Sequence, residues 1–361
     1  MGSPMGARER LKSFFQARYN LGGLGELVTH KTVPVHGHSL WYYLGGTTLV
    51  LVAVQILSGL LLLLYYRPSV GEAHESVRLI MTKVEFGWLV RSVHAWAANM
   101  AILSAFIHMA SAFFLKAYRP PRELTWVTGC LLFFLLMGFG FTGYLLPWNT
   151  LSFFATKVGT EIASSVPVIG KVLSTFLRGG ADVGDATLSR FFWFHIAALP
   201  VCLFFLLGAH LMMVQLQGMS RPLSVRSERA MPFIPNFLLR DLAAWSVMLG
   251  IVLALSAYYP ATVGEKADPF APTPAGIEPE WYFLWMFQTL KFFPGHILGL
   301  EGELVAIVAM GLAGLVLILV PWLDRPAARG QAHWLAWLAG FLTVFYMIGM
   351  TVYAKWFIAR H

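Results

Sequence analysis

The chain has 361 residues, of which 57% are hydrophobic and only 12% are charged. Soluble domains are about 45–50% apolar and about 25% charged, so this composition excludes a soluble enzyme, a disordered chain and a nucleic-acid-binding protein, the last despite a pI near 9.5. The two cysteines, Cys130 and Cys202, both lie in apolar runs. They cannot supply a disulfide framework, a cysteine-based zinc site or an iron–sulfur motif. The composition predicts an integral membrane protein.

Residues 1–39 are predicted to hold a helix that lies on the cytoplasmic membrane surface. Cations such as Arg8 and Lys12 stand beside apolar Leu11 and Phe14, which is typical of an amphipathic interfacial helix. A frayed tail is the alternative. The stretch has no uninterrupted apolar core, so it is not expected to be a cleavable signal peptide.

Seven stretches are long enough to cross a bilayer, since a core of about 30 Å requires about 20 apolar residues per helix. The predicted fold is an all-α membrane protein with seven transmembrane helices, the first four forming a bundle. The predicted spans cover residues 40–64, 88–115, 126–147, 191–215, 241–259, 304–322 and 333–357. The implied units are a four-helix domain at 40–216, a polar linker at 217–240, and a three-helix domain at 241–361 whose loop 260–303 is rich in Pro and Gly.

The distribution of charge predicts a cytoplasmic N-terminus. With seven spans, the side that carries the N-terminus holds 14 Lys and Arg against 6 Asp and Glu, whereas the other side holds 12 of each. The whole net charge of +8 therefore lies on the N-terminal side. By the rule that cytoplasmic loops are rich in Lys and Arg, this side faces the cytoplasm.

Four histidines lie well inside the predicted spans: His94 and His108 on the second, and His195 and His210 on the fourth. Fourteen residues of helix rise about 21 Å and make nearly four whole turns, so His94 and His108 share one face at two depths. His195 and His210, fifteen residues apart, lie within about 60° of one face by the same geometry. One span separates these two helices, so they run in the same direction and their histidines match in depth.

Two matched histidine pairs across a four-helix bundle predict two haems, each held by two imidazoles. Glycines support this interpretation, because a flat macrocycle approaches a helix only where side chains are missing. Gly45 and Gly59 on the first span, and Gly129 and Gly143 on the third, repeat the fourteen-residue interval. The alternatives are ordinary helix packing for the glycines, and core histidines or a proton relay for the histidines.

Two arginines at the non-cytoplasmic membrane edge, Arg91 and Arg190, could pair with haem propionates. The alternative is that both are simple interfacial anchors.

At these residues and at several motifs the sequence resembles the cytochrome b family of cytochrome bc complexes, and most closely cytochrome b6 fused to subunit IV of the b6f type. The resemblance covers nearly all of residues 30–325. The motifs are Arg91-Ser-Val-His94, Pro121-Arg-Glu-Leu-Thr-Trp-Val-Thr-Gly129, Gly143-Tyr-Leu-Leu-Pro-Trp148, Pro167-Val-Ile-Gly170, and Pro279-Glu-Trp-Tyr282 continuing to Phe293-Pro-Gly295.

The resemblance implies a low-potential haem b near the outer face on His94 and His195, and a higher-potential one near the cytoplasmic face on His108 and His210. It also implies an outer quinol-oxidation site in which Glu280 accepts a proton. The residues expected to shape that site are Pro279, Tyr282, Tyr144, Pro147 and Ala155, and those expected at a cytoplasmic quinone-reduction site are Arg240 and Asp241.

The resemblance implies a bifurcating quinol:cytochrome c oxidoreductase that contributes to proton motive force. The expected partners are a Rieske-type iron–sulfur protein, a cytochrome c-like subunit or carrier, quinone, the lipid bilayer and a second copy of the complex. The expected location is the inner membrane of a bacterium. Tyr43 stands where b6 proteins carry a haem-linking cysteine, so two non-covalent haems and no thioether-linked haem are predicted.

Two other functions stay open at this point. A di-haem cytochrome b anchor of another quinone-linked dehydrogenase would use similar histidine pairs, but it would not need the Pro279-Glu-Trp-Tyr282 motif. A haem-free proton-coupled transporter could use intramembrane histidines, but it would not explain why glycines repeat the histidine interval.

Overall fold

A computed structural model gives the architecture and describes residues 6, 8, 9, 31–225, 229–331 and 334–358. Its helices are α1 (Tyr43–Leu63), α2 (Ala73–Thr82), α3 (Gly87–Phe114), α4 (Glu123–Leu145), α5 (Thr150–Ser164), α6 (Gly170–Arg178), α7 (Asp185–Gln217), α8 (Leu238–Tyr258), α9 (Trp281–Phe292), α10 (Gly302–Leu323), α11 (Arg325–Ala328) and α12 (Trp334–Tyr353). Within the described ranges, seven of them are long and apolar enough to cross a membrane: α1, α3, α4, α7, α8, α10 and α12. The predicted all-α membrane fold with seven spans is confirmed.

The first four spanning helices form the bundle, and the last three pack around it. The pairs α1–α3 and α4–α7 make the most extensive contacts, while α8 packs against α1 and α3, and α10 against α4. Leu51, Ala97, Ala101 and Val252 form a buried cluster where α1, α3 and α8 meet. Small side chains on α3 therefore bring α8 directly against the bundle.

Shorter helices occupy the connecting segments at one end of the bundle. α5 and α6 follow α4 inside the long segment 148–190, and α2 follows α1. The start of α5 has a clear local cause, because Asn149 and Ser152 form a reciprocal capping box: the Ser152 amide donates to Asn149 Oδ1 over 2.9 Å, and the Asn149 amide donates to Ser152 Oγ over 3.2 Å. This Asn-x-x-Ser pattern could have predicted the helix.

The opposite end joins the N-terminal segment to the linker between the two parts of the chain. β1 (Thr32–Pro34) pairs antiparallel with β2 (Ala230–Pro232), with Val33 opposite Met231. The fifth span starts slightly earlier than predicted, since α8 begins at Leu238, after a short segment, Phe233–Phe237, that is interrupted by a kink at Ile234. Most of the predicted N-terminal surface helix lies outside the described residues. A second small ribbon, β3 (His296–Ile297) with β4 (Leu300–Glu301), precedes α10.

α7 contains a π-helical segment, Phe194–Ala198, that surrounds His195. Its cause is Pro200: a proline lacks the amide that would bond the carbonyl of Ile196, and its ring clashes with that carbonyl. The wider i→i+5 turn removes the conflict and takes up about one additional residue. The interval of fifteen residues between His195 and His210 is therefore equivalent to the interval of fourteen on α3.

A buried ion pair joins the loop after α3 to the end of α10. Lys116 Nζ lies 2.9 Å from Asp324 Oδ2, and the Tyr118 hydroxyl donates to the same oxygen over 2.6 Å. The Lys116 and Asp324 side chains are only 3% and 5% exposed. This cluster connects the two parts of the chain at the end that carries β1.

Asp324→Asn is expected to destabilise the protein by about 3–5 kcal/mol, because it leaves the Lys116 ammonium buried without a compensating charge. Thermal unfolding in detergent measures the loss. The double variant Lys116→Met with Asp324→Leu removes both charges and is expected to recover most of the stability. Glu75→Gln, which breaks an exposed pair with Arg78, should change stability by no more than about 1 kcal/mol. Equal stability for Asp324→Asn and Glu75→Gln would contradict the assignment.

Candidate haem and quinol sites

The four intramembrane histidines all lie in the bundle and form two pairs at different depths. His94 and His195 lie near the starts of α3 and α7, and their ring centroids are 6.4 Å apart. His108 and His210 lie toward the other ends of the same helices, close enough for their charges to interact. The matched pairing that the spacing predicted is therefore present in the structure.

The separation of His94 and His195 suits two ligands of one iron. A metal–imidazole bond is about 2 Å long and the ring nitrogen lies about 1 Å from the ring centre, so two imidazoles on opposite sides of a metal have centroids about 6 Å apart. Within the described residues, no group of three or more His, Cys, Asp and Glu side chains could hold a metal ion. The donors that His94 and His195 offer together are two imidazoles, a set that fits a haem iron.

Each predicted glycine faces one of the four histidines. A Cβ atom built on Gly59 would lie 3.3 Å from His94 Cε1, and one on Gly143 would lie 2.6 Å from His195 Cε1. A Cβ atom built on Gly45 would lie 3.3 Å from His108 Cε1, and one on Gly129 would lie 3.4 Å from His210 Cε1. The glycines thus leave room for the histidine rings themselves, which explains why their intervals repeat the histidine interval.

Hydroxyl groups that the sequence analysis missed orient three of the four imidazoles. Ser58 Oγ lies 2.9 Å from His94 Nδ1, Thr142 Oγ1 lies 3.2 Å from His195 Nδ1, and Thr128 Oγ1 lies 3.0 Å from His210 Nδ1. Each hydroxyl immediately precedes one of the glycines. The hydroxyl–glycine pairs in the sequence could have identified them.

These hydroxyls fix which ring nitrogen is free. Ser58, Thr128 and Thr142 each donate their single proton to a backbone carbonyl three or four residues earlier. The oxygen therefore accepts from the imidazole Nδ1–H, and Nε2 keeps its lone pair. Neutral imidazole with a free nitrogen is the form that binds iron. The residues present therefore fit a haem at each pair.

Gly143→Val is expected to remove haem from the His94/His195 pair while His195 itself stays in the chain. The added side chain would start 2.6 Å from the imidazole and push it away from Thr142, at a cost of about 1–3 kcal/mol for overpacking alone. The haem content of the purified protein, counted per chain, measures the loss. Gly138→Ala on the same helix is the control, because its Cβ would meet only Leu199 at 3.8 Å. Two haems in both variants would contradict the expectation.

The two predicted arginines have different surroundings. Arg91 lies one turn before His94, close enough to Glu280 for their charges to interact. The Arg190 guanidinium donates to the carbonyls of Thr175 and Phe176 near the end of α6. A contact between Arg190 and a haem carboxylate would require the guanidinium to leave these acceptors, so its role as a propionate partner stays a prediction.

Glu280 lies at the start of α9, at the end of the bundle that carries His94 and His195. It occupies the N-cap position, but its carboxylate makes no capping hydrogen bond, so it is available for other chemistry. Burial raises the pKa of the Glu280 carboxyl above its usual range, and the charges of Lys355 and Arg91 limit this rise. A carboxylate with a raised pKa can take up and release a proton near neutral pH.

Tyr282 and Tyr144 lie near Glu280, on the side that faces α4. Both side chains are close enough for the charge of Glu280 to act on them. The Tyr282 ring is buried against Gly140, whose Cβ would lie 2.6 Å from the phenol oxygen. Gly140 is a further residue that the sequence analysis missed, and it allows α9 to approach α4.

Hydrogen bonds attach the loop before α9 to the end of α4. The Thr150 amide donates to the Glu265 carbonyl over 2.9 Å, and the Ala267 amide donates to the Trp148 carbonyl over 3.1 Å. Pro147 is buried beside them, Ala155 is half-buried on α5, and Pro279 precedes Glu280. The structure therefore brings the segments predicted to form a quinol site to the end of the molecule where His94 and His195 lie.

Glu280 also lines an open cleft of about 460 Å³ on its other side, together with Trp96, Asn99, Met100, Leu103 and Trp281. The Trp281 indole donates to Asn99 Oδ1 over 2.7 Å, which holds the wall of this cleft in place. The cleft lies toward α3, so Tyr144, Pro147 and Ala155 do not line it.

Lys355, beyond the end of α12, was not predicted to take part. It forms an ion pair with Glu278, two residues before Glu280. The end of the last span therefore contributes a positive charge to the loop that precedes α9. Its sequence signal was weak, because a lysine at the end of a spanning helix is usually an interfacial anchor.

At the opposite end, Asp241 and Arg240 lie at the start of α8. Asp241 is buried against Gly46, whereas Arg240 is exposed. Tyr43 stacks on Phe237 with ring centroids 5.0 Å apart. Cys130 and Cys202 are both free and lie within α4 and α7.

Comparisons with known proteins agree with this architecture. The cytochrome b/b6/petB family model matches residues 28–218, and the cytochrome b C-terminal/b6/petD model matches residues 266–357. A cytochrome bc complex cytochrome b subunit of Chlorobaculum thiosulfatiphilum is 43% identical over 356 residues, covering 97% of this chain and 82% of that protein. Cytochrome b6 of Gloeobacter violaceus is 42% identical over 214 residues, covering 59% of this chain and 99% of that protein.

Among solved structures, a chain of a hyperthermophilic respiratory complex III superposes with a TM-score of 0.83 at 30% identity, covering 95% of this chain and 91% of that chain. The two family models match the two parts of one continuous polypeptide, a b6-like part and a subunit IV-like part. The chain belongs to the cytochrome b/b6 family of multi-pass, haem-binding membrane proteins of cytochrome bc complexes.

Proposed function

We propose that this chain is the haem b subunit of a quinol oxidoreductase that delivers electrons to cytochrome c or an equivalent acceptor. The observation that carries the proposal is the coincidence of two features at one end of the bundle. There, an imidazole pair with its ligand nitrogens free lies beside a buried carboxylate, Glu280, that can accept a proton. Oxidation of a quinol requires both an electron acceptor and a proton acceptor at one place.

The residues divide into a haem-binding set and a quinone-binding set. His94 with His195, and His108 with His210, would hold two non-covalent haems b, backed by Gly45, Gly59, Gly129 and Gly143, with Arg91 and Arg190 as propionate partners. When bound, the haems supply one-electron carriers at two depths. Tyr144, Pro147, Ala155, Pro279 and Tyr282 would enclose the quinol, while Arg240 and Asp241 would serve quinone reduction at the other face.

Glu280 would remove a proton from the quinol hydroxyl and release it toward water at the outer face. Its buried position keeps competing protons away, and the charges of Arg91 and Lys355 favour the ionised form that accepts the proton. Proton uptake at the opposite end, where Asp241 is buried, would complete the displacement of charge across the membrane. Oxidation is proposed to be bifurcated, with one electron of each quinol leaving to a Rieske-type iron–sulfur protein.

The proposed setting is a homodimeric complex in a bacterial cytoplasmic membrane, with the N-terminus in the cytoplasm. The orientation rests on the excess of positive charge at the N-terminal side. A cytochrome c-like subunit or carrier would receive the electrons. Tyr43, in place of a haem-linking cysteine, leads us to propose that no haem is attached by a thioether bond.

Two measurements on the purified complex test this function. One is a reductive redox titration followed in the visible haem bands, and the other is the haem stoichiometry from the pyridine haemochrome. Two non-covalent b haems with separate potentials are expected. A third haem that stays attached under denaturing conditions would overturn the proposal about Tyr43. A colourless protein without haem would overturn the oxidoreductase function and favour the proton-coupled transporter.

A further inference from the structure

One of the four histidine sites lacks a feature that the other three share. Ser58-Gly59, Thr128-Gly129 and Thr142-Gly143 each place a hydroxyl against Nδ1 of a histidine and a glycine against its ring. At the fourth site the dipeptide is Leu44-Gly45. The glycine is kept and the hydroxyl is replaced by an apolar side chain.

The comparison between Ser58 and Leu44 is direct, because both sites lie on the same two helices. Leu44 precedes Ser58 by fourteen residues on α1, and His108 follows His94 by fourteen residues on α3. The glycine contacts are the same as well: each Cβ would lie 3.3 Å from its histidine's Cε1. Leu44 therefore occupies the position from which a hydroxyl would bond to His108.

The other hydroxyl groups near His108 have different partners. Thr48 Oγ1 donates to the Leu44 carbonyl over 2.9 Å, and Ser104 Oγ lies 2.9 Å from Thr48 Oγ1. His108 Nδ1 is buried and has no hydrogen-bond partner among the described residues. His108 is thus the one intramembrane histidine whose Nδ1–H no neighbouring hydroxyl accepts.

We propose that Leu44 is a positioning residue that raises the reduction potential of the haem held by His108 and His210. An acceptor at Nδ1–H increases the basicity of Nε2 and so stabilises the more positive ferric iron. His94, His195 and His210 have such an acceptor and His108 does not. The pair His108/His210 therefore stabilises ferric iron less than His94/His195 does, and electrons are drawn from the outer haem to the cytoplasmic one.

This inference rests on the proposed haem sites, and its test separates the two. Leu44→Thr restores the hydroxyl–glycine pair, and Leu44→Val is the matched control because valine has the shape of threonine without its hydroxyl. In the intact complex, Leu44→Thr is expected to lower the potential of one haem relative to Leu44→Val. Changing the group that hydrogen-bonds to a metal-ligating histidine typically alters metal affinity about tenfold or more. A tenfold change in the preference for ferrous over ferric iron is about 59 mV for one electron.

Thr128→Val supplies a second measurement that does not depend on Leu44. It removes the hydroxyl acceptor from His210 while the Thr125 carbonyl stays, and it is expected to raise the potential of the same haem. Ser58→Ala, which leaves the Gln55 carbonyl at His94, should raise that of the other haem. Equal potentials in Leu44→Thr and Leu44→Val, or no shift in Thr128→Val, would overturn the inference while two haems remain bound. Loss of both haems from the unmodified complex would instead overturn the proposed function.

Discussion

Replacing His195 by leucine is expected to halve the haem content of the complex, from two b haems per chain to one, and to abolish quinol oxidation. Leucine fills much of the same volume but offers no nitrogen lone pair, so His94 would be left as a single ligand. The ring centroids of His195 and His94 are 6.4 Å apart, whereas His210 lies fifteen residues further along α7. The remaining haem should therefore keep its own pair of ligands. Pyridine haemochrome analysis and a redox titration on the purified variant measure both effects.

The matched control is His296→Leu, which removes an exposed histidine from the short ribbon before α10. It is expected to keep two haems and the normal rate. His210→Leu is the complementary variant and should lose the haem at the other depth. If His195→Leu retained two haems with unchanged potentials, the assignment of His94 and His195 as one ligand pair would be wrong.

The spanning helices and the histidine pairs could be predicted because a membrane imposes simple rules on a sequence. A span must be about 20 apolar residues long, and side chains that share a face recur at helical intervals. The positions of His94 and His108 follow from those rules alone. The glycine intervals added an independent signal, since only a missing side chain lets an imidazole lie against the neighbouring helix.

The parts that could not be predicted depend on contacts between distant segments or on local departures from a regular helix. The π-helical turn at His195 arises from Pro200, and the regular geometry used for prediction placed His195 and His210 about 60° apart instead of on one line. Lys355 reaches Glu278 across 77 residues of sequence, which no local pattern indicates. The hydroxyls of Ser58, Thr128 and Thr142 had a local signal, but their partners became clear only when the helices were packed together.

The proposed reaction requires residues from four segments to lie close together at one end of the molecule. Glu280 belongs to the subunit IV-like part, whereas His94, His195 and Tyr144 belong to the b6-like part. Backbone hydrogen bonds between residues 148–150 and 265–267 hold the loop of one part on the helix end of the other. A fused chain keeps this alignment without needing two polypeptides to assemble.

Glu280→Gln is expected to lower the rate of quinol oxidation by about 100-fold, the low end of what a positioned proton acceptor contributes, with two haems still bound. In the unmodified complex the ionised carboxylate accepts the proton, so the rate should rise with pH through the pKa of Glu280, which burial raises above the usual range. The amide cannot titrate, so the fall in rate at low pH (the acid limb of the pH profile) should vanish in Glu280→Gln.

Lys355→Met tests whether the charge of Lys355 acts on the pKa of Glu280, and it separates this electrostatic effect from a loss of structure. The positive charge of Lys355 lowers the pKa of Glu280 and so opposes the rise caused by burial. Its removal is therefore expected to raise that pKa further and move the acid limb to higher pH, while the rate at high pH stays close to normal. Lys291→Met is the control: Lys291 lies on α9, the helix that follows Glu280, but its charge lies over the Phe287 ring, so this change should leave the pH dependence in place. An acid limb that persisted in Glu280→Gln, or one that moved to lower pH in Lys355→Met, would show that another group accepts the proton.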